Sequence, residues 1–422
     1  MGNYVLKCPA CGQVTEDPHA AMCPVCREKS LLQTVYEKKQ IDVTEDPGVF
    51  MFRDWLPVRS QIPTRACPVV FRSENFAKEL GLKDVLFGFT GYYPERNAFA
   101  VSGTFEELSA LTVLAGLQDA RGSSSSVMKP LVVASAGNAG RAFAELSELG
   151  LPVVIIVPET ALPAVRVTNS GKNVRLITVK GDYADAAAVA ERFSSAAGAV
   201  PEGGGRNVAH RDGAGTVFLR GTLTAGRIPD IYIQAAGSGA GCIAAREAAL
   251  RLIGDGRFGD RLPEIHAVQN EPFTPLKSAW ENDHETVLPE DMNDAENMIR
   301  MTYAQALTDR LPFYAQSGGF RDSLRECGGK VHSVTEKEAK IAMSLWQFYE
   351  NCDLDPAAAA ALAALIKGIE DGSIDPEKKI FLNLTGGGYD PIKEDFSLRY
   401  IRPEASVLPD YDFNDDPEGL LK

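Results

Sequence analysis

Leu131-Val132-Val133-Ala134-Ser135-Ala136-Gly137-Asn138-Ala139-Gly140-Arg141 decides the fold class of this chain. An unbroken apolar run reads as a strand buried on both faces, the turn after it is glycine-rich, and a helix opens near Gly140-Arg141-Ala142-Phe143. The unit repeats outward. Val153-Val154-Ile155-Ile156-Val157-Pro158 and Arg175-Leu176-Ile177-Thr178-Val179 are further apolar strands with helical patterns between and after them. Such alternation predicts a parallel sheet covered on both faces. Ile231-Tyr232-Ile233-Gln234-Ala235-Ala236 leads into Gly237-Ser238-Gly239-Ala240-Gly241 and a helix rich in Ala and Arg. With Glu264-Ile265-His266-Ala267-Val268-Gln269 and Lys379-Ile380-Phe381-Leu382-Asn383-Leu384, it predicts a second sheet. Two α/β domains meeting at a cleft follow.

The 422 residues suffice for two cores and a small appendage. A net charge of −14 repels nucleic-acid phosphates and anionic lipid, so a small-molecule partner is expected, with no nucleic acid and no membrane. No apolar stretch approaches the roughly 20 residues of a spanning helix, and MGNYVLKCPACG holds no signal-peptide core. The expected location is cytoplasmic. Ser123 to Ser126 reads as a flexible loop tip, and the acidic tail after Pro409 as a solvated extension.

Four of the eight cysteines fall in the first 26 residues, as Cys8-Pro-Ala-Cys11 and Cys23-Pro-Val-Cys26. Two CxxC turns present four thiolates in the pattern of a tetrahedral structural zinc, which would fold a segment too short for its own core. Four Cys ligands leave no open metal position, so catalysis is expected elsewhere.

Ligands of open α/β sheets bind beyond the carboxyl ends of the strands, where three glycine-rich turns lie here. Backbone amides of Gly237, Ser238, Gly239, Ala240 and Gly241 at a helix start can hold a phosphate, although such turns also serve as plain connections. Asn138 stands at a strand-to-helix corner, as a turn residue or a donor to a bound ring. Thr385, in Leu384-Thr385-Gly386-Gly387-Gly388, puts a hydroxyl at a strand end.

Together with the zinc-type N-terminus, Gly91-Tyr92-Tyr93-Pro94-Glu95-Arg96, Pro201-Glu202-Gly203-Gly204-Gly205-Arg206-Asn207-Val208-Ala209 and Gln269-Asn270-Glu271-Pro272-Phe273, these turns resemble the fold-type-II pyridoxal-phosphate enzymes. The likeness covers most of the chain and is to the cysteate synthase and threonine synthase family. It implies a two-domain architecture similar to the tryptophan synthase β chain, carrying an N-terminal zinc ribbon. The ranges would be 1–40 for the ribbon, 41–99 with 216–422 for the large cofactor domain, and 100–215 for the smaller one. It also implies a homo-oligomer. By resemblance, Asn138 would contact the cofactor's phenolic oxygen, the Gly237–Gly241 amides its phosphate, and Thr385 its ring nitrogen. Cysteate synthase replaces the phosphate of phosphoserine with sulfite, on a route toward coenzyme M.

One departure changes the chemistry. The family pattern places its Schiff-base lysine in Ser-Phe-Lys-Glu-Leu, whereas this chain reads Thr104-Phe105-Glu106-Glu107-Leu108. A carboxylate forms no imine, so pyridoxal phosphate cannot be bound here through position 106. Cys242 and Cys67 stand where small residues are expected; each is a nucleophile with a lowered pKa or an inert buried thiol. Lys277 is either a relocated imine-forming lysine or a solvated one. Arg96, Arg141 and Arg206 are candidate anion clamps or surface ion pairs, and Ser135 a candidate substrate contact.

The expected function is an enzyme that forms or breaks a carbon–sulfur bond on a small anionic, sulfonate-bearing acceptor. Glu106 would act as acid or base, while Cys242 and Cys67 carry or receive sulfur. Two alternatives remain: ordinary cysteate synthase chemistry through Lys277, and a non-catalytic binding or regulatory homologue.

Overall fold

The computed structural model describes residues 3–17, 20–121, 129–149, 151–416 and 419–421. The Ser123 to Ser126 run lies outside the described residues.

The smaller sheet has five parallel strands in the order Val200–Pro201, Leu131–Ala134, Val153–Pro158, Val174–Val179, Ala405–Val407. Its side chains alternate between two cores, as the strand period of two requires. Val132, Val154, Ile156 and Ile177 pack with Val189 and Phe193 of the helix Tyr183–Ala197. Leu131, Val133, Ile155 and Val157 pack toward Ala142 and Phe143 of the helix Asn138–Leu146. Both faces are covered, which is why these strands read as continuous apolar runs.

The larger sheet runs Lys330–Val334, Glu264–Asn270, Ile231–Ala235, Lys379–Leu384, Asp84–Phe89, Val69–Phe71, parallel except for its last pair. One face lies on the helix Pro356–Glu370, whose alanines allow close approach and whose start is capped by Asp355 accepting from the Ala357 amide at 2.9 Å. The other face lies under the helices Val208–Ala225 and Ala240–Asp255. Val208–Ala225 also packs on the helix Glu106–Arg121. A Cβ at Gly213 would sit 2.4 Å from Thr112 Oγ1 and 2.7 Å from the Leu108 carbonyl oxygen, so these two helices meet closer than any side chain permits. That contact brings the starts of both helices, and hence Glu106 and His210, to one cavity.

Two expectations are corrected at the C-terminus. Ala405–Val407 belongs to the smaller sheet and not to the large domain. The acidic tail is anchored too: Phe413 is buried edge-on against Phe193 at 5.3 Å, and Leu420 is buried in the same core. Apolar anchors spaced among the acids outweigh the solvation of the charges between them.

The N-terminal unit is a three-stranded antiparallel sheet, ordered Val14–Thr15, Tyr4–Lys7, Gln33–Tyr36. Its two knuckles are alike. Gly12 donates to the Cys8 carbonyl and Arg27 to that of Cys23, each at 2.9 Å with a left-handed backbone. The unit docks through Asp212, which accepts from Thr34 at 2.8 Å and Tyr36 at 2.6 Å. No helix among the described residues is long and apolar enough to cross a membrane.

Candidate functional site

The carboxyl ends of Leu131–Ala134, Ile231–Ala235 and Lys379–Leu384 open on one cleft, so the three glycine-rich turns converge as the strand-end rule requires. Gly237 to Gly241 line it on the large-domain side, at the start of the sixteen-residue helix Ala240–Asp255. Among the described residues, no protein acceptor takes the amides of Gly237, Ser238 or Gly239, and the first-turn amides of the helix have no intrahelical partner. Gly239 has φ +83°, and a Cβ there would lie 2.7 Å from the Phe320 ring. These donors, with the helix dipole behind them, make a cradle for a phosphate.

Opposite stands the turn of Ser135 and Asn138. Ser135 Oγ accepts from the amides of Gly137 at 2.9 Å and Gly140 at 2.8 Å, so the hydroxyl shapes its own turn. Asn138 Oδ1 accepts from Arg141 at 3.2 Å, Arg141 donates to Tyr389 Oη at 2.6 Å, and that hydroxyl donates to Asp355 at 2.7 Å. The buried Arg141 is thus not a free anion clamp. It fixes the Asn138 amide, leaving Nδ2 to donate into the cleft.

Glu106 lies at the first turn of the helix Glu106–Arg121 and lines the cleft. The Phe105 amide donates to the Thr385 carbonyl oxygen at 2.9 Å and the Gly387 amide to that of Gly103 at 3.0 Å, pinning this corner to the Thr385 turn. The two glutamates diverge. Glu107 turns back to accept from the Ser102 amide at 2.7 Å, whereas Glu106 accepts from the Thr104 hydroxyl and stays open to the cavity. Enclosure by protein, then the nearby Asp355, push the Glu106 carboxyl up to about 7, against relief from its own amide, Arg141 and His210.

The cleft also contains residues the sequence reading missed. His210 Nδ1 lies 2.8 Å from Glu202 Oε1. Burial opposes protonation of His210, but the Glu202 carboxylate and then Glu106 leave its pKa raised overall. Burial first, and Asp182 next, push Asp309 up to about 6, although the Leu311 amide and Arg310 oppose it. Tyr183 joins them. Glu202 and His210 bracket the glycine-rich segment before the helix Val208–Ala225, a signal that could have flagged them; nothing local marks Asp309.

Several expected site residues lie elsewhere. Cys242 points into the core and is fully buried, and burial pushes its thiol up to about 12, the reverse of the activation expected at a helix start. Cys67 is likewise raised by burial and does not line the cleft. Arg96 pairs with Glu350 at 2.7 Å and stacks on Phe71, while Arg206 reaches the Glu28 carbonyl at 3.4 Å. Lys277 Nζ pairs with Glu281 at 2.6 Å. Among the described residues lining the cleft there is no lysine and no arginine.

The cradle, Asn138 and Thr385 therefore fit the phosphate and ring of pyridoxal phosphate, but no lining side chain fits an imine bond to it. The fold and cleft define the fold-type-II pyridoxal-phosphate class. Solved structures of a pyridoxal 5′-phosphate-dependent aspartate racemase (TM-score 0.59, 17% identity, 76% of this chain and 90% of that one) and of maize serine racemase (0.57, 18%, 78% and 93%) share the architecture. The chain belongs to the pyridoxal-phosphate dependent enzyme family, whose sequence profile matches residues 70–386. Within that family it is related to cysteate synthase. It is 47% identical over 402 residues to the protein of that name from Methanocorpusculum labreanum, covering 94% of this chain and 95% of the relative. Against the Methanosarcina acetivorans cysteate synthase the identity is 41% over 412 residues, with 96% and 97% covered.

Proposed function

We propose that this chain is an enzyme that forms or breaks a carbon–sulfur bond on a small anionic, sulfonate-type acceptor, with Glu106 moving the proton that a lysine moves in its relatives. The carrying observation is the Glu106 carboxyl, enclosed at the cleft, brought near neutrality and faced by the phosphate cradle. A group poised near the working pH is suited to both giving and taking a proton. In the addition direction a sulfur lone pair forms the C–S bond at the β-carbon of an unsaturated acceptor. The π electrons move to the α-carbon, which takes the proton from Glu106; cleavage runs the same path backward.

Anion binding here falls to backbone amides instead of guanidinium groups, since His210 is paired with Glu202. The Asn138 and Ala139 amides at the start of Asn138–Leu146 suit the acceptor's acid group, while Ser135 takes those of Gly137 and Gly140 and shapes the turn. The Gly237–Gly241 amides would hold the cofactor phosphate, Asn138 its phenolic oxygen and Thr385 its ring nitrogen. When bound, pyridoxal phosphate supplies an electron-withdrawing ring. The Cys8, Cys11, Cys23 and Cys26 sulfurs, all within 4.8 Å of one another, would hold a structural zinc.

The test is turnover of sulfite, cysteine and phosphoserine mixtures by the full chain and by Glu106→Gln. Glu106→Gln should lower turnover about 100-fold or more while binding the same ligands in calorimetry. Full activity in that variant would remove Glu106 from the mechanism.

A further inference from the structure

The cleft is polarised. One end is a run of backbone amides at a helix start, those of Gly237, Ser238 and Gly239 without a protein acceptor among the described residues and that of Ala240 reaching Ser238 Oγ at 3.4 Å, a device for a dianion. Glu106, Glu202 and Asp309 place three carboxyl groups in the same lining, and His210 is already taken by Glu202. No lysine or arginine side chain among the lining residues balances them. A carbonyl-bearing phosphomonoester would find its phosphate satisfied but its aldehyde facing a carboxyl oxygen, with which it forms neither an imine nor an ion pair. A primary ammonium in that place would find an acceptor.

Resting on the cradle reading above, we propose that this cleft selects a phosphomonoester that carries a primary amine, the ammonium pairing with Glu106 while the phosphate lies on the Gly237–Gly241 amides. The replacement at position 106 then changes which form of the cofactor is held: the amine form, reversibly, instead of the aldehyde form covalently. Glu106 suits this role because Thr104 orients its carboxylate and the Phe105–Thr385 bond fixes its backbone on the ring side of the cleft. An ion pair in an enclosed site is strengthened by the low dielectric around it.

The experiment is calorimetric titration of the full chain with pyridoxamine 5′-phosphate, pyridoxal 5′-phosphate, pyridoxine 5′-phosphate and inorganic phosphate. Pyridoxamine 5′-phosphate should bind about tenfold or more tightly than the aldehyde and alcohol forms at pH 8, a difference of about 1.4 kcal/mol or more. Glu106→Gln should bring the three within about threefold, roughly 0.7 kcal/mol. Glu106→Lys should reverse the order and fix the aldehyde form covalently, seen as a borohydride-stable adduct by mass spectrometry. Equal binding of the three ring compounds to the unaltered chain, or tighter binding of the aldehyde, overturns the inference while leaving the cradle standing. Binding of none of the ring compounds overturns the cradle reading and the inference with it. A borohydride-fixed adduct on any lysine of the unaltered chain also overturns it.

Discussion

Phe105 donates its amide to the carbonyl oxygen of Thr385 at 2.9 Å, and this bond ties the residue before Glu106 to the strand end that presents the hydroxyl expected at the ring nitrogen. Two segments far apart in sequence thus share one rigid corner of the cleft. A side chain at position 106 has little freedom to withdraw from the cavity.

The raised Glu106 carboxyl makes stability depend on pH with a definite sign. A carboxyl that holds its proton longer when folded contributes stability that is fully present below its ordinary value of 4.5 and lost as pH rises through about 7. The gap corresponds to at most about 3 kcal/mol. Glu106→Gln should therefore melt higher than the unaltered chain at pH 8, and the difference should shrink toward zero as pH falls to 4.5. Thermal denaturation across that range checks it.

The N-terminal cysteines should carry one metal ion per chain. Cys23→Ser or a strong chelator should lower bound zinc below one equivalent by elemental analysis. Because metal binding and folding of so small a unit are coupled, protection of residues 3–36 from hydrogen exchange should collapse, while the large sheet stays protected.

Arg310 holds Asp182 at 2.5 Å and Asp185 at 3.3 Å, an ion pair between the segment bearing Asp309 and the cap of the small-domain helix Tyr183–Ala197. Both partners are partly exposed, so the pair contributes only about 0.5–1 kcal/mol. Its larger effect should be geometric. Arg310→Ala should loosen the cleft mouth, read as faster exchange of the 302–314 amides and a weaker response to salt, with the global melt nearly unchanged.

Phe413→Ala should cost about 3 kcal/mol in the small domain, since it opens a cavity against Phe193. An exposed tail would show no effect. Urea denaturation followed by a probe in residues 131–201 distinguishes the two.

What the sequence determined was whatever is written locally. Strand period and length mark Leu131–Ala134, Val153–Pro158 and Ile231–Ala235. The glycine turns mark the strand ends that line the cleft, the paired CxxC turns mark the four-thiol cluster, and Thr104-Phe105-Glu106 marks a carboxyl at the cleft corner. Tertiary structure decided where each side chain points and what it meets. Cys242 follows the cradle directly, yet about 100° of helical rotation per residue turns it into the core, where burial suppresses its thiolate. Arg96 and Arg206 lie in motifs that look like site motifs, but Glu350 and Glu28, distant in sequence, claim them. His210, Glu202 and Asp309 come together only because two helices pack at Gly213 and a loop near residue 309 folds over the sheet ends, and the strand Ala405–Val407 crosses to the smaller sheet because its apolar partners lie there. Periodicity is a property of neighbours along the chain, whereas the charge inside a cleft is set by groups that approach through space.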